Sequence, residues 1–425
     1  FEQYAGVFKQ QLQFDDLSVK FSWLPSVGKD IGKSSSLYPT QRVVDYPSEV
    51  HSLTQASVEQ DKHWLVKLFH HYQNWDTDTL RVDERRNVTE YQSHTLGGLG
   101  LFKVNWFGGH GRVGIDWLSR KGVDIRETEL SHNGETNFTQ HVIDAKQDNY
   151  ALLSDIHWSF EQYSITAGLR YDLIKQSQFI NQQNRSDHKF NASVLANFPL
   201  SKGASLQTEV ATGFRFPTLS ELYFEGETPR GSTLGNAGLK PEESVGLQVM
   251  WVQPISASLS TKVESYYYQL DNYIERYNIN DDLRSYRNLD KAKIYGAEAL
   301  VDWQVSSMLF MQLSFQWQRG EDNQGNTLSD LHPMTFSHHS QWYWREFSVE
   351  NSLTWRHRQS DTSSQESKRD GHLLWDISVG RTFNSGSTVS FFIKNLMDRL
   401  AYSTADEDAA FIQGRAIGIK GKWLF

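Results

Sequence analysis

Apolar and polar residues alternate along many segments of this chain. In 163–173 the odd positions carry Tyr, Ile, Ala, Leu, Tyr and Leu, whereas the even positions carry Ser, Thr, Gly, Arg and Asp. Segments 113–117, 309–317, 375–379 and 389–393 follow the same pattern. Because successive side chains of a strand point to opposite faces, each segment predicts a β-strand with one apolar and one polar face. We count about 19 such segments, which predicts an all-β protein.

Two kinds of β fold share this alternation, because the strands of a soluble sandwich or propeller also have one buried face. Here the segments often run about 10–13 residues, which exceeds the usual soluble length and approaches the roughly 9–11 that cross a bilayer at a tilt. Aromatic residues recur near segment ends, as outer-membrane girdles require: Trp106, Trp117, Trp158, Phe160, Trp251, Trp303 and Trp317. The opposite faces are rich in Gln, Ser, Asp, Arg and Gly, which suits a wet lumen. The pattern favours a transmembrane antiparallel β-barrel over a soluble β fold.

Composition excludes several other classes of protein. The longest apolar runs, such as 150–153 and 249–252, are four residues long, far short of the roughly 18 needed by a membrane-spanning helix. A net charge of −9 argues against a nucleic-acid partner. With no cysteine, the chain has neither disulfides nor thiolate chemistry. The first eight residues lack the basic and apolar regions of a signal peptide.

Connections between the predicted strands alternate in length. Short links fall near 13–16, 107–110, 199–203, 253–255, 305–307 and 384–387, and longer polar stretches cover 27–48, 75–92, 121–148, 217–243, 320–335, 359–371 and 397–412. Outer-membrane barrels have short periplasmic turns, long extracellular loops and an even strand number. If the last strand descends to the periplasm, the first one here starts outside the cell. We therefore expect an odd number of strands in front of this sequence, which reads as one barrel domain, 1–425, lacking its front.

The end of the chain and five short motifs resemble one family. The last strand ends in Phe425, with Trp423, Ile419 and Ile417 on one face, which resembles an outer-membrane assembly signal. The segments GFRFPTLSELY (213–223) and GNAGLKPEES (235–244) resemble the paired boxes of TonB-dependent outer-membrane receptors. Three further pieces follow in the family's order: N288 with AKIYGAE (292–298), KNLMD (394–398) and GR (414–415). These matches cover about the second half of the chain.

Backbone chemistry predicts a structural role for several of the motif residues. Pro217 has no N–H to donate, so it marks the point where a strand becomes a loop. Asn236 tolerates positive φ, and Gly296 leaves room for close approach within a strand. Maintenance of the fold, rather than ligand contact, is thus the favoured role for these positions. The full set of residues that match the family's motifs is Arg215, Pro217, Asn236, Leu239, Pro241, Glu242, Gly296, Glu298, Asn395 and Asp398.

The resemblance implies a function and a set of partners. Similar receptors take up scarce nutrients, mostly ferric siderophores, through a 22-stranded barrel closed by a plug and driven by the TonB complex. Neither plug nor TonB box is found in this sequence, so we expect both upstream. The implied partners are outer-membrane lipid of a Gram-negative bacterium, the TonB complex through an upstream segment, the outer-membrane assembly machinery and a metal chelate or similar small ligand. No cofactor is implied.

Candidate ligand contacts lie in the predicted extracellular loops. Bulky anionic chelates suit aromatic rings and guanidinium groups, because stacking and charge-assisted hydrogen bonds hold them. The candidates are Tyr223, Phe224, Arg230, Trp75, Arg85 and Arg86. Cobalamin, haem, a zinc or copper complex and a glycan remain alternative ligands. Haem is disfavoured, since the haem receptors of the family carry a histidine between the paired boxes and 218–235 has none.

Two pairs of adjacent histidines occur in the sequence, at 70–71 and at 338–339. Adjacent residues of a strand face opposite sides, so neither His70 with His71 nor His338 with His339 can chelate one ion, and no metal site is predicted there. A loop site using His110, His132 or His332 is the remaining alternative for a metal ion. A passive porin would share the barrel but lack the plug. No nucleophile, base and orienting group form a local signature, so an enzyme is not expected.

Overall fold

The computed structural model describes residues 1–33, 42–60, 63–179, 183–228, 231–280, 283–364, 366–405 and 409–424. Strands dominate this described part, in the following order: β1 (Glu2–Ala5), β2 (Phe8–Phe14), β3 (Leu17–Gly32), β4 (Arg42–Gln60), β5 (Trp64–Arg81), β6 (Arg86–Trp106), β7 (Gly109–Leu130), β8 (Thr136–Ser159), β9 (Ser164–Gln178), β10 (Gln183–Pro199), β11 (Ser205–Arg215), β12 (Glu225–Thr228), β13 (Gly231–Leu234), β14 (Glu242–Ser256), β15 (Leu259–Asn278), β16 (Leu283–Ser306), β17 (Leu309–Asp322), β18 (Thr335–Trp344), β19 (Phe347–Arg356), β20 (His372–Thr382), β21 (Thr388–Lys394) and β22 (Ala416–Lys422). A short α-helix, α1 (Leu219–Tyr223), precedes β12, and one 3₁₀ turn covers Ser201–Gly203.

The strands form one antiparallel meander that makes the barrel wall. β1 and β2 both pair with β3, on either side of a break at Gly6 and Val7, so they act as one wall strand. Each following strand pairs with the next as far as β11, which pairs with β14, and the order then continues to β22. Leaving out the β12–β13 hairpin, the described residues contain 19 wall strands. The predicted antiparallel β-barrel and its strand number are confirmed.

The two ends of the barrel differ in the length of their connections. At one end tight turns join the strands, as between Phe14 and Leu17 or between Trp106 and Gly109. At the other end lie the longer connections, including 216–241, 323–334 and 395–415. Long connections of outer-membrane barrels face outside the cell, and we call this end the mouth.

Two stretches expected as long loops are largely strand. β5 and β6 continue to a turn at 82–85, and β7 and β8 continue to a turn at 131–135, so most of 75–92 and 121–148 is paired. In the β5–β6 extension, polar side chains such as Thr77 and Thr79 are buried, whereas the β7–β8 extension contributes Val123, Ile125, Val142 and Ala145 to an apolar cluster. Neither stretch has the long alternation of apolar and polar residues by which the other wall strands are recognised in the sequence.

The apolar faces of the wall point outwards. Leu68 and Ile115 are 56% and 60% exposed, and they share this face with aromatic residues such as Phe102, Tyr171 and Trp317. Alternate positions carry polar side chains on the lumen face, including Thr77, Thr95 and Gln176. Among the helices of the described residues, none has the length and apolar character to cross a membrane.

The most enclosed apolar cluster lies inside the mouth rather than along the wall. It joins side chains of β7, β8, α1, β15 and the connection that follows β13: Val123, Ile125, Val142, Ala145, Leu219, Leu222, Tyr223, Phe224, Leu239 and Ile274. Tyr91 and Tyr286 pack against it. The connection 216–241 therefore folds inwards and shares a small core with the neighbouring wall.

Candidate functional site

The inward-folded connection 216–241 begins with a well-capped helix. Thr218 accepts a hydrogen bond through its side chain from the Glu221 main-chain N–H, and the Glu221 carboxylate accepts one from the Thr218 N–H at 2.8 Å. This capping box satisfies two helix-end donors at once. After α1, strands β12 and β13 form a hairpin, and β13 runs parallel to β16 of the wall. The connection is thereby fixed to the wall at both its start and its end.

Arg215 joins the helix to the wall through two carboxylates. Its Nη1 donates to both oxygens of Glu221, at 3.0 and 2.8 Å. Its Nε and Nη2 donate to the two oxygens of Glu242, each at 2.9 Å. Glu242 Oε1 also accepts from the main-chain N–H of Ile274 at 2.7 Å. One guanidinium thus links the end of β11, helix α1 and the start of β14.

Further motif residues secure the rest of the connection. The Pro217 main-chain oxygen accepts a hydrogen bond from Gln176 Nε2 of β9 at 2.8 Å. Asn236 Nδ2 donates to the Tyr286 main-chain oxygen of β16 at 2.9 Å. Leu239 and Pro241 are buried beside these contacts. These residues act on the geometry of the mouth, because they fix where the connection lies.

Tyr223 and Phe224 are each 8% exposed and belong to the apolar cluster of the mouth. Burial raises the pKa of the Tyr223 phenol, and the nearby Arg185 guanidinium partly opposes this effect. Such burial leaves these two side chains little surface for a ligand in this arrangement. Their role as ligand contacts stays a prediction.

The other predicted contacts are spread over β5, β6 and the turn between them. Trp75 lies on β5 and stacks on Tyr91 of β6, with ring centroids 4.9 Å apart and planes 16° apart. Arg85 lies in the turn and donates from Nε to Asp83 at 2.7 Å, whereas Arg86 begins β6 and donates from Nε to Asp78 at 2.9 Å. Trp75 and Arg86 are therefore strand residues rather than loop residues. Arg230 lies outside the described residues.

The motif near the end of the chain forms a hydrogen-bonded hub. Asn395 has a φ of 47°, and its Nδ2 donates to the main-chain oxygens of Arg399 and Gln413, both at 2.9 Å. Its Oδ1 accepts from the Arg399 N–H at 2.8 Å. Asp398 Oδ1 accepts from the Arg415 N–H at 2.8 Å. The two side chains close the connection between β21 and β22.

Two motif residues lie in the middle of β16, and the assembly signal lies at the end of the chain. A Cβ on Gly296 would lie 2.6 Å from the Trp317 main-chain oxygen, so this position requires glycine. Glu298 is opposite Glu264, whose carboxylate pairs with Lys262 at 3.0 Å. Trp423 is 63% exposed after β22, and Phe425 lies outside the described residues.

Sequence reasoning missed a row of lumen-facing groups next to Trp75. His71 lies on the lumen face of β5, and its ring stacks on that of His51 from β4, with centroids 5.4 Å apart. Gln73 Nε2 donates to the Tyr91 hydroxyl at 2.9 Å. His70 takes the opposite face and stacks on His94. Neighbouring histidines thus diverge as strand alternation requires, but each has a histidine partner on another strand. Only the strand register could have revealed these partners.

Comparison with known proteins gives a consistent family and fold. A family model described as "TonB dependent receptor-like, beta-barrel" matches residues 4–396. An iron-regulated outer membrane virulence protein of Vibrio cholerae is 25% identical over 180 residues, which cover 39% of this chain and 26% of that protein. The vitamin B12 transporter BtuB of Vibrio cholerae is 21% identical over 385 residues, or 89% of this chain and 57% of that protein. The chain thus spans between about a quarter and about half of these two relatives.

Solved structures share the fold at low sequence identity. The copper transporter OprC superposes with a TM-score of 0.85 at 14% identity, covering 99% of this chain and 73% of that one. The ferric citrate transporter FecA, in its unliganded form, superposes with a TM-score of 0.78 at 11% identity, covering 99% and 69%. At such identities the likeness shows that the fold is shared, and it gives no information about the ligand.

Proposed function

This chain belongs to the TonB-dependent receptor-like β-barrel family, and from that premise we propose that it serves active uptake of a scarce nutrient, with a ferric siderophore as the ligand. It is a multi-pass β-barrel of a Gram-negative outer membrane. In the proposal the ligand binds at the mouth and passes to the periplasm with energy from the TonB complex, which acts on a segment outside this sequence. Outer-membrane lipid and the assembly machinery, through Trp423 and Phe425, are the other proposed partners.

The observation that carries the siderophore proposal is the aromatic surface on the lumen side of β4–β6. Trp75 stacks on Tyr91, and Tyr46 meets Trp75 edge to face at a centroid distance of 6.3 Å. Aromatic faces bind bulky, partly apolar ligands through stacking, which suits a siderophore. The structural homologue FecA and the iron-regulated relative bear names that concern iron, which supports the same ligand class.

Cobalamin is the second candidate ligand, because the relative named as a vitamin B12 transporter aligns with 89% of this chain. Haem and a glycan have no comparable support among the described contacts. A zinc or copper complex stays an alternative ligand, and the name of one structural neighbour, the copper transporter OprC, concerns copper. A passive porin differs in mechanism, since its transport needs no TonB.

Uptake in cells distinguishes these functions. The gene for the full-length protein is deleted in its host and restored on a plasmid, and uptake of radiolabelled ferric citrate, ferric catecholates, ferric hydroxamates and cobalamin is measured with and without functional TonB. The proposal expects loss of uptake of at least one ferric chelate on deletion, and equal loss without TonB. Unchanged uptake of every ferric chelate overturns the siderophore assignment. Loss of cobalamin uptake alone selects the second candidate, and TonB-independent uptake selects the porin.

A further inference from the structure

Two histidines and a glutamate form a connected group on the lumen face near the mouth. His51 Nδ1 lies 3.2 Å from His71 Nε2, and His51 Nε2 lies 2.8 Å from Glu49 Oε1. Leu53 is the direct partner of His71, so His51 reaches His71 diagonally from two residues away on β4. Val66 and Leu68 on β5 face outwards, so His71, at an odd position of the same strand, faces the lumen.

The separation of the two ring nitrogens matches the spacing of two ligands on one metal ion. Imidazole nitrogens bind zinc at about 2.0–2.1 Å, so two of them at angles of roughly 90–110° are about 2.9–3.4 Å apart. The observed 3.2 Å falls within this range. Without an ion the same pair shares a single N–H···N hydrogen bond. An ion bound to both nitrogens lies off the line that joins them, so each ring must turn to direct its lone pair at the ion.

Glu49 gives His51 the tautomer that a ligand needs. A carboxylate next to Nε2 holds the ring proton there, which leaves the Nδ1 lone pair directed towards His71. Metal-bound histidines generally donate their other ring N–H to a carboxylate or carbonyl in this way. The Glu49 and His51 side chains are 39% and 31% exposed, so the group is open to the lumen.

The surroundings of His51 and His71 limit which metal ions this pair can bind. Among the described side chains, no set of three or more His, Asp or Glu is arranged around a common ion position, so the pair supplies two ligands only. The Arg120 Nε donates to Thr95, the direct partner of His71, at 3.3 Å. This nearby positive charge weakens the binding of a bare cation without preventing it, and an anionic chelator that supplies the remaining ligands would offset the charge.

We propose that His51 and His71 form a two-histidine site for a divalent transition metal of the copper, nickel and zinc group, with Glu49 as the group that orients His51. Imidazole suits these ions, whereas ferric iron in siderophores is bound by oxygen, so the site does not depend on the siderophore assignment. Water or an incoming chelator completes the coordination. The site therefore offers a coordination contact for metal complexes at the mouth.

A second histidine pair supplies a matched control. His70 Nε2 and His94 Nδ1 are 3.3 Å apart on the outward face of the same β5–β6 region, and their rings stack with centroids 5.5 Å apart. No carboxylate bond to either ring is found among the described residues. The two pairs thus have nearly the same spacing and differ in face and in the orienting carboxylate.

The test uses the purified full-length protein in detergent. Binding of Cu²⁺ is followed by electron paramagnetic resonance during a titration, and binding of Zn²⁺ and Ni²⁺ is measured by equilibrium dialysis. Coupling of the copper signal to two nitrogens is expected. His51→Ala and His71→Ala should each weaken binding by about tenfold or more and remove one nitrogen from the spectrum, and Glu49→Gln should weaken binding about 10–100-fold. The double variant His70→Ala/His94→Ala should keep the signal.

Heat-modifiable gel mobility shows whether each variant has folded, and His51→Asn and His71→Asn replace any alanine variant that has not. Copper affinity and nitrogen coupling that are unchanged in the folded His51 and His71 variants overturn the proposal. Loss of the signal only in the His70/His94 double variant also overturns it. Because binding of the metal alone is measured, a failure here leaves the uptake experiment on ferric chelates unaffected.

Discussion

Arg215 and Glu242 form a two-pronged ion pair at the place where the chain leaves the wall and returns to it. Both bonds measure 2.9 Å, and they connect the last residue of β11 with the first residue of β14. Planar guanidinium and carboxylate groups match in this geometry, which adds direction to the attraction. Arg215 and Glu242 are also cross-strand partners of the β11–β14 ladder, so the pair joins the two ends of the inward-folded connection 216–241.

Replacement of Arg215 by Ala should loosen the connection 216–241. Glu242 and Glu221 would lose their shared donor, and unpaired groups at partly buried positions cost about 1–3 kcal/mol. Faster amide hydrogen exchange over 218–241 is the expected result. Arg381→Ala is the control, because its pair with Glu346 at 3.5 Å is exposed and surface pairs contribute about 0–1 kcal/mol. Equal exchange in the two variants would contradict this role of Arg215.

Gly296→Ala should destabilise the barrel wall. The added Cβ would lie 2.6 Å from the Trp317 main-chain oxygen and 2.5 Å from the Tyr266 hydroxyl, so β16 and β17 must separate. Overpacking of this kind costs about 1–3 kcal/mol. Unfolding in guanidinium, followed by tryptophan fluorescence in detergent, measures the loss. Gly100→Ala is the control, since its nearest neighbour is 3.6 Å away; a similar loss there would exclude the steric explanation.

The folded connection 216–241 should become less stable in alkaline solution because of Tyr223. Burial raises the pKa of its phenol above the usual 10.0, so the folded connection keeps a proton that the unfolded one releases. Stability is therefore constant below about pH 10 and falls as pH rises from there to the folded pKa. Hydrogen exchange over 218–241 at rising pH, corrected for its intrinsic pH dependence, should show this fall. The fall should disappear in Tyr223→Phe; its persistence there would assign the effect to another group.

Trp75→Ala should weaken ligand binding if the aromatic surface of β4–β6 contacts the ligand. Loss of an aromatic stacking partner costs about 0.5–1.5 kcal/mol beyond the lost area, so affinity should fall several-fold or more. Isothermal titration with the chelate identified by uptake gives the measurement. Tyr72→Ala removes an aromatic ring from the opposite face of the same strand and should leave affinity unchanged. An equal loss in both variants would indicate a general effect on β5.

Asn395→Asp should open the connection between β21 and β22. The substitution keeps an acceptor for the Arg399 N–H and tolerates the positive φ, but it removes both donors to main-chain oxygens. Two carbonyls then face a carboxylate, at a cost of about 1–3 kcal/mol. Limited proteolysis within 399–413 should accelerate. Asn384→Asp is the control, because it lies in an exposed turn at the other end of the barrel and should leave the cleavage rate unchanged. If Asn395→Asp does not accelerate cleavage, Asn395 does not hold the connection closed.

Features of the fold that depend on neighbouring residues could be predicted from the sequence, whereas features that depend on residues far apart in the chain could not. The wall strands were predictable because alternation is a property of neighbouring residues, as Leu169 and Arg170 show on opposite faces of β9. The extensions of β5 to β8 were expected as loops, since their sequences lack a long alternation of apolar and polar residues. The ligand candidates Tyr223 and Phe224 were placed in the right connection, but their burial depends on β7 and β8, which lie some 80–100 residues earlier.

By itself, the sequence determined the all-β class, the number of wall strands, the outward apolar face and the family, because each depends on local periodicity or on short motifs. Tertiary structure alone decided that 216–241 folds into the mouth, that Arg215 meets both Glu221 and Glu242, and that His51 meets His71. These contacts depend on the register between strands, and a shift of one residue would turn every side chain of a strand to the other face. Register is set by the sum of many cross-strand contacts, which is why no single segment of the sequence reveals it.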